Sequence, residues 1–222
     1  MSAPLRLILF DVDGTLADSQ GAITGAMAEA FQGVGLEVPA RDAILSIVGL
    51  SLPLAMKELA PAQDAATLEA LVEGYKASYM ASRQAAGAAH SPLYPGAREA
   101  LMELHAVPEY LLGVATGKSQ RGVEALIAAH ELDCFVTRQV ADHHPSKPHP
   151  SMILTAMAET GVDRESTVMI GDTRFDIEMG RAAGVTTIAV PWGYHPAETL
   201  GADYLIRGFA ELRPLLAEIW RG

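Results

Sequence analysis

Cysteine is nearly absent from this chain. Cys134 is the single one in 222 residues, so no disulfide can close within the chain, and nothing points to an oxidising compartment. It sits in the apolar stretch Leu132 to Val136 and reads as a small buried strand residue rather than a reactive thiol. Basic residues are scarce as well. Sixteen Lys and Arg face 27 Asp and Glu, a formal net charge of −11, and no basic cluster interrupts the acidic field. Such a surface repels nucleic acid and anionic lipid, so neither is expected as a partner. Long apolar runs are also missing. None approaches the ~20 residues that cross a bilayer, and the segment from Met1 to Phe10 is too short for a secretory signal. A cytoplasmic protein is the expectation.

What the chain does have is apolar residues in half of its positions, against 19% charged, which suits a folded core and not a disordered polymer. Those residues recur in short runs: Leu5 to Phe10, Tyr110 to Ala115, Cys134 to Thr137, Thr167 to Ile170 and Val185 to Val190. Runs of this length without polar alternation read as parallel strands buried on both faces. Helical patterns separate them over Gly96 to His105, Gln120 to Glu131, Pro150 to Thr160 and Asp176 to Ala183, and Phe209 to Trp220 closes the chain as an amphipathic helix. The alternation predicts an α/β fold, a doubly wound parallel sheet with helices on both faces.

One segment breaks the rhythm. About 75 residues separate the first strand from the helix near Gly96, far more than a βα connection needs. Leu68, Leu71, Val72, Tyr75 and Tyr79 fall on one helical face within it, and Pro39, Pro53, Pro61 and Gly87 are expected to break it into pieces. This predicts a helical domain over 18–91, inserted into a core made of 1–17 and 92–222.

Chemistry-bearing residues gather at strand ends. In Asp11-Val12-Asp13-Gly14-Thr15-Leu16 the two carboxylates, two residues apart on an extended chain, face the same way. At an effective dielectric of 20 and a separation of 4 Å, their repulsion is about 4 kcal/mol, which a bound cation would relieve. Thr116-Gly117 ends the next strand before a helix, a place suited to holding phosphate oxygens. The tripeptide Gly117-Lys118-Ser119 imitates the end of a P-loop, but Leu112 stands where that motif requires glycine. In Lys147-Pro148, the proline confines Lys147 to extended geometry and so aims its amine. Gly171-Asp172-Thr173-Arg174-Phe175-Asp176 again sets carboxylates at a strand end; helix capping alone would account for either one.

The ordered series Asp-x-Asp-Gly-Thr, Thr, Lys-Pro, Gly-Asp-x-x-x-Asp on successive strand ends closely resembles the haloacid dehalogenase superfamily. Within it the likeness is greatest to the phosphoglycolate phosphatases, through Asp11 to Ser19, Lys147-Pro148-His149-Pro150 and the segment Gly171 to Trp192. The resemblance implies a Rossmann-like core with a helical cap and hydrolysis of a small phosphorylated metabolite. It implies Asp11 as nucleophile and Asp13 as the acid and base, protonated at the outset. It implies Mg²⁺ held by Asp11, the Asp13 backbone carbonyl and Asp172, with Lys147 adding positive charge. Thr116, the Gly117 N–H and Lys147 would bind the phosphoryl group, and Asp176 would orient Lys147 or a metal-bound water. Gly117 departs from the Asn that many relatives carry there, which is why its backbone N–H is assigned the contact.

Two other readings share these residues. A sugar phosphomutase keeps the second acid, whereas haloacid dehalogenases lack it, so Asp13 argues against carbon–halogen cleavage. A phospho-accepting receiver domain uses similar groups, but is about half this length and orders them differently. The substrate is left to the insert, with Val48 to Ser51 as a loop facing the phosphate site and Arg41, Lys57 and Arg83 as cations for a second anionic group. His143, His144 and His149 match no zinc pattern and read as a solvated loop, while His195 is placed near the active edge.

Overall fold

The computed structural model describes residues 4–221, so the outermost parts of the expected core, 1–3 and 222, lie outside it. Among the described residues, six strands form one parallel sheet: β1 (Arg6–Phe10), β2 (Tyr110–Thr116), β3 (Phe135–Val140), β4 (Thr167–Gly171), β5 (Thr186–Ala189) and β6 (Tyr204–Leu205), in the order β3-β2-β1-β4-β5-β6.

Side-chain alternation along β1 explains the two layers of helices. Ile8 and Phe10 point to one face, where they meet α5 (Ala97–His105), α6 (Gln120–His130) and α9 (Leu212–Ile219) through Leu101, Val123 and Leu216. Leu7 and Leu9 point to the other, against Met152 and Ile153 of α7 (Ser151–Thr160) and Met179 of α8 (Arg174–Ala183). The strand's period of two thus feeds two cores from a single apolar run.

Between β1 and α5 the chain forms α1 (Gln20–Gly33), α2 (Arg41–Ser46), α3 (Leu52–Leu59) and α4 (Ala65–Ala86). They bury Met27, Phe31, Leu45, Met56 and Leu71 in a core of their own. Pro53 falls at the division between α2 and α3, as expected. It occupies the first turn of α3, where a missing N–H is harmless and its fixed φ suits a helix start. Three contacts seat these helices on the loops that follow the C-terminal ends of the strands. The Ser51 N–H donates to Ser146 Oγ at 2.8 Å, Lys118 Nζ to the Tyr79 hydroxyl at 2.9 Å, and His195 Nε2 to the Ser46 carbonyl at 3.0 Å.

One predicted strand differs at its end, and one strand lies beyond the expected set. β3 runs on to Val140, beyond the apolar run, because Gln139 and Val140 continue the pairing with β2. The two-residue β6 went unpredicted; Tyr204 and Leu205 at a sheet edge offer too short a pattern to read.

Candidate active site

The strand order reverses between β1 and β4, and in open α/β sheets the crevice beyond the C-terminal ends at such a point is where ligands bind. Asp11 follows β1 and Asp172 follows β4, so the sequence places a carboxylate on each side of that crevice. Both are essentially inaccessible to solvent. Thr15 Oγ1 donates to Asp172 Oδ1 at 2.8 Å, and the Tyr194 N–H donates to Asp172 Oδ2 at 2.8 Å. Gly14 makes the approach possible. Its φ is +89°, and a Cβ there would lie 2.2 Å from Asp172 Oδ2.

Lys147 reaches the same crevice from the loop between β3 and α7. Its Nζ donates to Asp11 Oδ1 at 2.8 Å and to Asp176 Oδ1 at 2.6 Å, with all three side chains buried. Asp176 is fixed in turn by the capping box of α8, accepting from the Thr173 N–H at 3.0 Å and the Thr173 hydroxyl at 2.7 Å. Burial pulls the Lys147 ammonium down, but Asp11 and Asp176 more than offset it and hold it above the ordinary lysine value. Burial raises the Asp11 carboxyl from 3.8 to about 6 against the opposing pull of Lys147. Burial also pushes Asp172 well above the usual carboxylate range, with Asp176 and Asp11 adding to the effect.

Asp13 turns another way. Lys118 Nζ donates to its two oxygens at 2.7 and 2.9 Å and gives its third hydrogen to Tyr79. Burial lowers the Lys118 ammonium, yet Asp13 and Tyr79 leave it above the ordinary value. The Asp13 carboxylate therefore stands apart from the carboxylate trio, which is Asp11, Asp172 and Asp176. Neither Lys118 nor Tyr79 was singled out from sequence for this role. In the sequence Lys118 stands inside a false P-loop, although its position two residues past a strand end, on the same end of the sheet as Asp13, is the usable signal. Tyr79 was read as one more apolar contact of its helix.

Thr116 and Gly117 line the cavity above Asp11 and Asp13, with Val48 to Ser51 of the insert facing them. A Cβ on Gly117 would lie 2.6 Å from the Gly49 carbonyl oxygen, so the loop rests directly on this glycine. Of the three proposed cations, only Arg83 lines the cavity; Arg41 instead bonds Gln20. The expectation of a solvated histidine loop fails for His144, which is partly buried. It donates from Nε2 to Gln139 Oε1 at 2.8 Å and pairs through Nδ1 with Ser151 Oγ at 2.9 Å, because the polar end of β3 needs partners there. His143 and His149 are exposed, and His195 lies against Phe175.

Comparison with known proteins follows this geometry. The family model described as haloacid dehalogenase-like hydrolase matches residues 8–190. The chain belongs to this family. A probable phosphatase, IndB, of Dickeya dadantii is 34% identical over 202 residues, covering 88% of this chain and 85% of that protein. A phosphoglycolate phosphatase of Chromobacterium violaceum is 32% identical, with 96% of each covered. The solved structure of a predicted phosphoglycolate phosphatase from Haemophilus somnus superposes with a TM-score of 0.85 at 21% identity, covering 97% of this chain and 99% of that one, a likeness of fold.

Haloacid dehalogenase-like hydrolases imply a divalent metal, and the donor set here suits one. Asp11, Asp172 and Asp176 each offer an oxygen, all within 4.8 Å of one another. Asp11 Oδ2 is buried with no hydrogen-bond partner. Four carboxylates (Asp11, Asp13, Asp172 and Asp176) face two ammoniums (Lys118 and Lys147), so the fully ionised site carries two uncompensated negative charges. A hard cation with oxygen ligands matches both the charge and the atoms.

Proposed function

We propose that the chain is a cytoplasmic, Mg²⁺-dependent phosphatase that hydrolyses a phosphate monoester through an aspartyl-phosphate on Asp11. The observation that carries this reading is the state of Asp11: Oδ1 is held by Lys147, and Oδ2 is buried, unpartnered and beside the cavity. A carboxylate fixed on one oxygen and free on the other is oriented to attack. The names of the relatives support phosphoryl chemistry.

The steps assign each residue one task. An Asp11 oxygen bonds to phosphorus as the ester P–O bond breaks, and the leaving oxygen takes a proton from Asp13. Water then attacks the aspartyl-phosphate, gives its proton to Asp13, and releases inorganic phosphate with Asp11 restored. Lys147, braced by Asp176, offsets negative charge on Asp11 and the phosphoryl oxygens, and Thr116 with the Gly117 N–H holds those oxygens as charge redistributes. Asp11, the Asp13 carbonyl and Asp172 would hold Mg²⁺, which would supply electrostatic relief where the Asp11 anion meets a phosphate dianion. For Asp13 to act as an acid, at least one of its oxygens must leave Lys118. Residues 18–91 act as a cap that excludes water during transfer.

A phosphate-release screen over small monoesters, with and without Mg²⁺, tests the reading. Asp11→Asn is expected to abolish release while keeping the native circular dichroism and chromatographic profile. Release by that variant at a near-native rate overturns the nucleophile assignment, and undiminished turnover after exhaustive EDTA treatment overturns the metal requirement.

A further inference from the structure

The space beside Asp13 is large for the substrate that the relatives' names suggest. A cavity of about 1000 Å³ opens over Asp11, Asp13 and Thr116 and extends up the inner wall of the helical insert. Pockets at this end of the usual range hold drug-sized molecules. The volume is not that of an insert swung away. The Ser51–Ser146, Tyr79–Lys118 and Ser46–His195 hydrogen bonds tie the insert to the loops beyond the strand ends on several sides of the cavity.

The chemistry of the wall matters as much as its size. On the insert side its accessible apolar lining comes from Leu52, Tyr75, Tyr79 and Met80, while Ile23 and Met27 of the lining are almost fully buried in the insert's own core. Tyr75 lies flat against Tyr79, with ring centroids 5.6 Å apart and an interplanar angle of 22°. Of the charged residues lining the cavity besides Asp11 and Asp13, Glu73 and Lys76 are paired with each other at 2.7 Å and exposed, Lys118 is taken by Asp13, Arg121 donates to Met80 Sδ at 3.4 Å, and Arg83 and Asp142 complete the set. Thioether and aromatic side chains of this kind favour ring faces and edges. A two-carbon acid on the phosphoryl group would leave this apolar wall facing water.

We infer that the monoester turned over by this site carries a ring-sized apolar body on its leaving group, received by the Leu52–Tyr75–Met80 wall. The inference rests on the phosphatase reading and refines it by naming the class of leaving group. Binding energy gathered by that remote body is available to position the ester at Asp11.

The test compares three alkyl monoesters in the presence of Mg²⁺: ethyl phosphate, phosphoglycolate and 2-phenylethyl phosphate. One methylene in an apolar pocket changes kcat/KM by about 10- to 200-fold, so the phenylethyl ester is expected to exceed each of the others by about tenfold or more. Ala77 lines the same space from an exposed position on α4, and Ala77→Phe would fill it. That variant is expected to cut the phenylethyl-to-ethyl ratio by about tenfold. Equal or better turnover of ethyl phosphate or phosphoglycolate overturns the inference, as does a ratio that Ala77→Phe leaves unchanged. If no monoester releases phosphate, the phosphatase reading fails on its own. Calorimetry on the same chain then decides the present point: tighter binding of the phenylethyl ester than of the ethyl ester sustains it, and equal binding overturns it.

Discussion

The ammonium of Lys118 grips both carboxylate oxygens of Asp13, at 2.7 and 2.9 Å. Two neighbouring acids, Asp11 and Asp13, are thereby given different partners. Asp11 answers to Lys147, and Asp13 to a lysine that also touches the helical insert through Tyr79.

Removing that lysine is expected to harm both fold and turnover. Lys118→Met leaves a mostly buried carboxylate without its cation, a change that costs about 2–5 kcal/mol in comparable pairs. The melting temperature should drop by several degrees, and phosphate release should fall more than Lys118→Arg causes it to. Native values of both in Lys118→Met would remove Lys118 from the site's machinery.

Asp11 sets a pH dependence whose sign follows from its raised pKa. Below 3.8 the carboxyl is neutral in folded and unfolded chains alike, and it contributes nothing. Between 3.8 and about 6 the folded chain holds the proton more tightly, so stability falls as pH rises through that window. Above about 6 the cost is complete. In EDTA at pH 7.5, Asp11→Asn should therefore melt above the unmodified chain, and the gap should close near pH 4. A variant that melts lower at pH 7.5 would show that the Lys147 contact outweighs burial.

Binding of a divalent cation must displace the same proton. Its apparent affinity should weaken as pH falls below about 6, which calorimetry at pH 5 and pH 7.5 would register. Affinity independent of pH over that range would separate Asp11 from the cation.

Gly117 is where the insert rests. Gly117→Ala places a carbon 2.6 Å from the Gly49 carbonyl, a backbone atom that cannot swing aside. Overpacking of this sort costs about 1–3 kcal/mol. The expected result is a lower melting temperature together with a raised KM. An unchanged KM would mean that the loop's seat on this glycine has no bearing on substrate binding.

Much of this was legible in the sequence because the relevant signals are local. Runs of apolar residues announced the central strands, and acidic or hydroxyl residues at their ends announced Asp11, Thr116, Asp172 and Asp176. The Asn-to-Gly departure at 117 was visible too, but its reason was not, since the reason is the Gly49 carbonyl, distant along the chain. Lys118 and Tyr79 were illegible for the same cause. Each looks ordinary in its own segment, and the contact between them exists only once α4 meets the loop that follows β2. Pro53 was legible as a divider because a proline that cannot sit inside a helix sits well in the first turn of one, and it stands at the start of α3.

The hydrogen bond from Thr15 to Asp172 spans 157 positions. A chain leaving the ribosome makes the β1 carboxylates early, yet it has no opposite wall to the crevice until β4 has emerged and zipped against β1. Until then Asp11 and Asp13 can meet Lys147 and Lys118, which precede β4 in the chain, but not Asp172 or Asp176, which follow it. A fluctuation that peels β4 from β1 would break the Thr15–Asp172 bond and open the crevice on that side, while leaving Asp11 and Asp13 with their lysines.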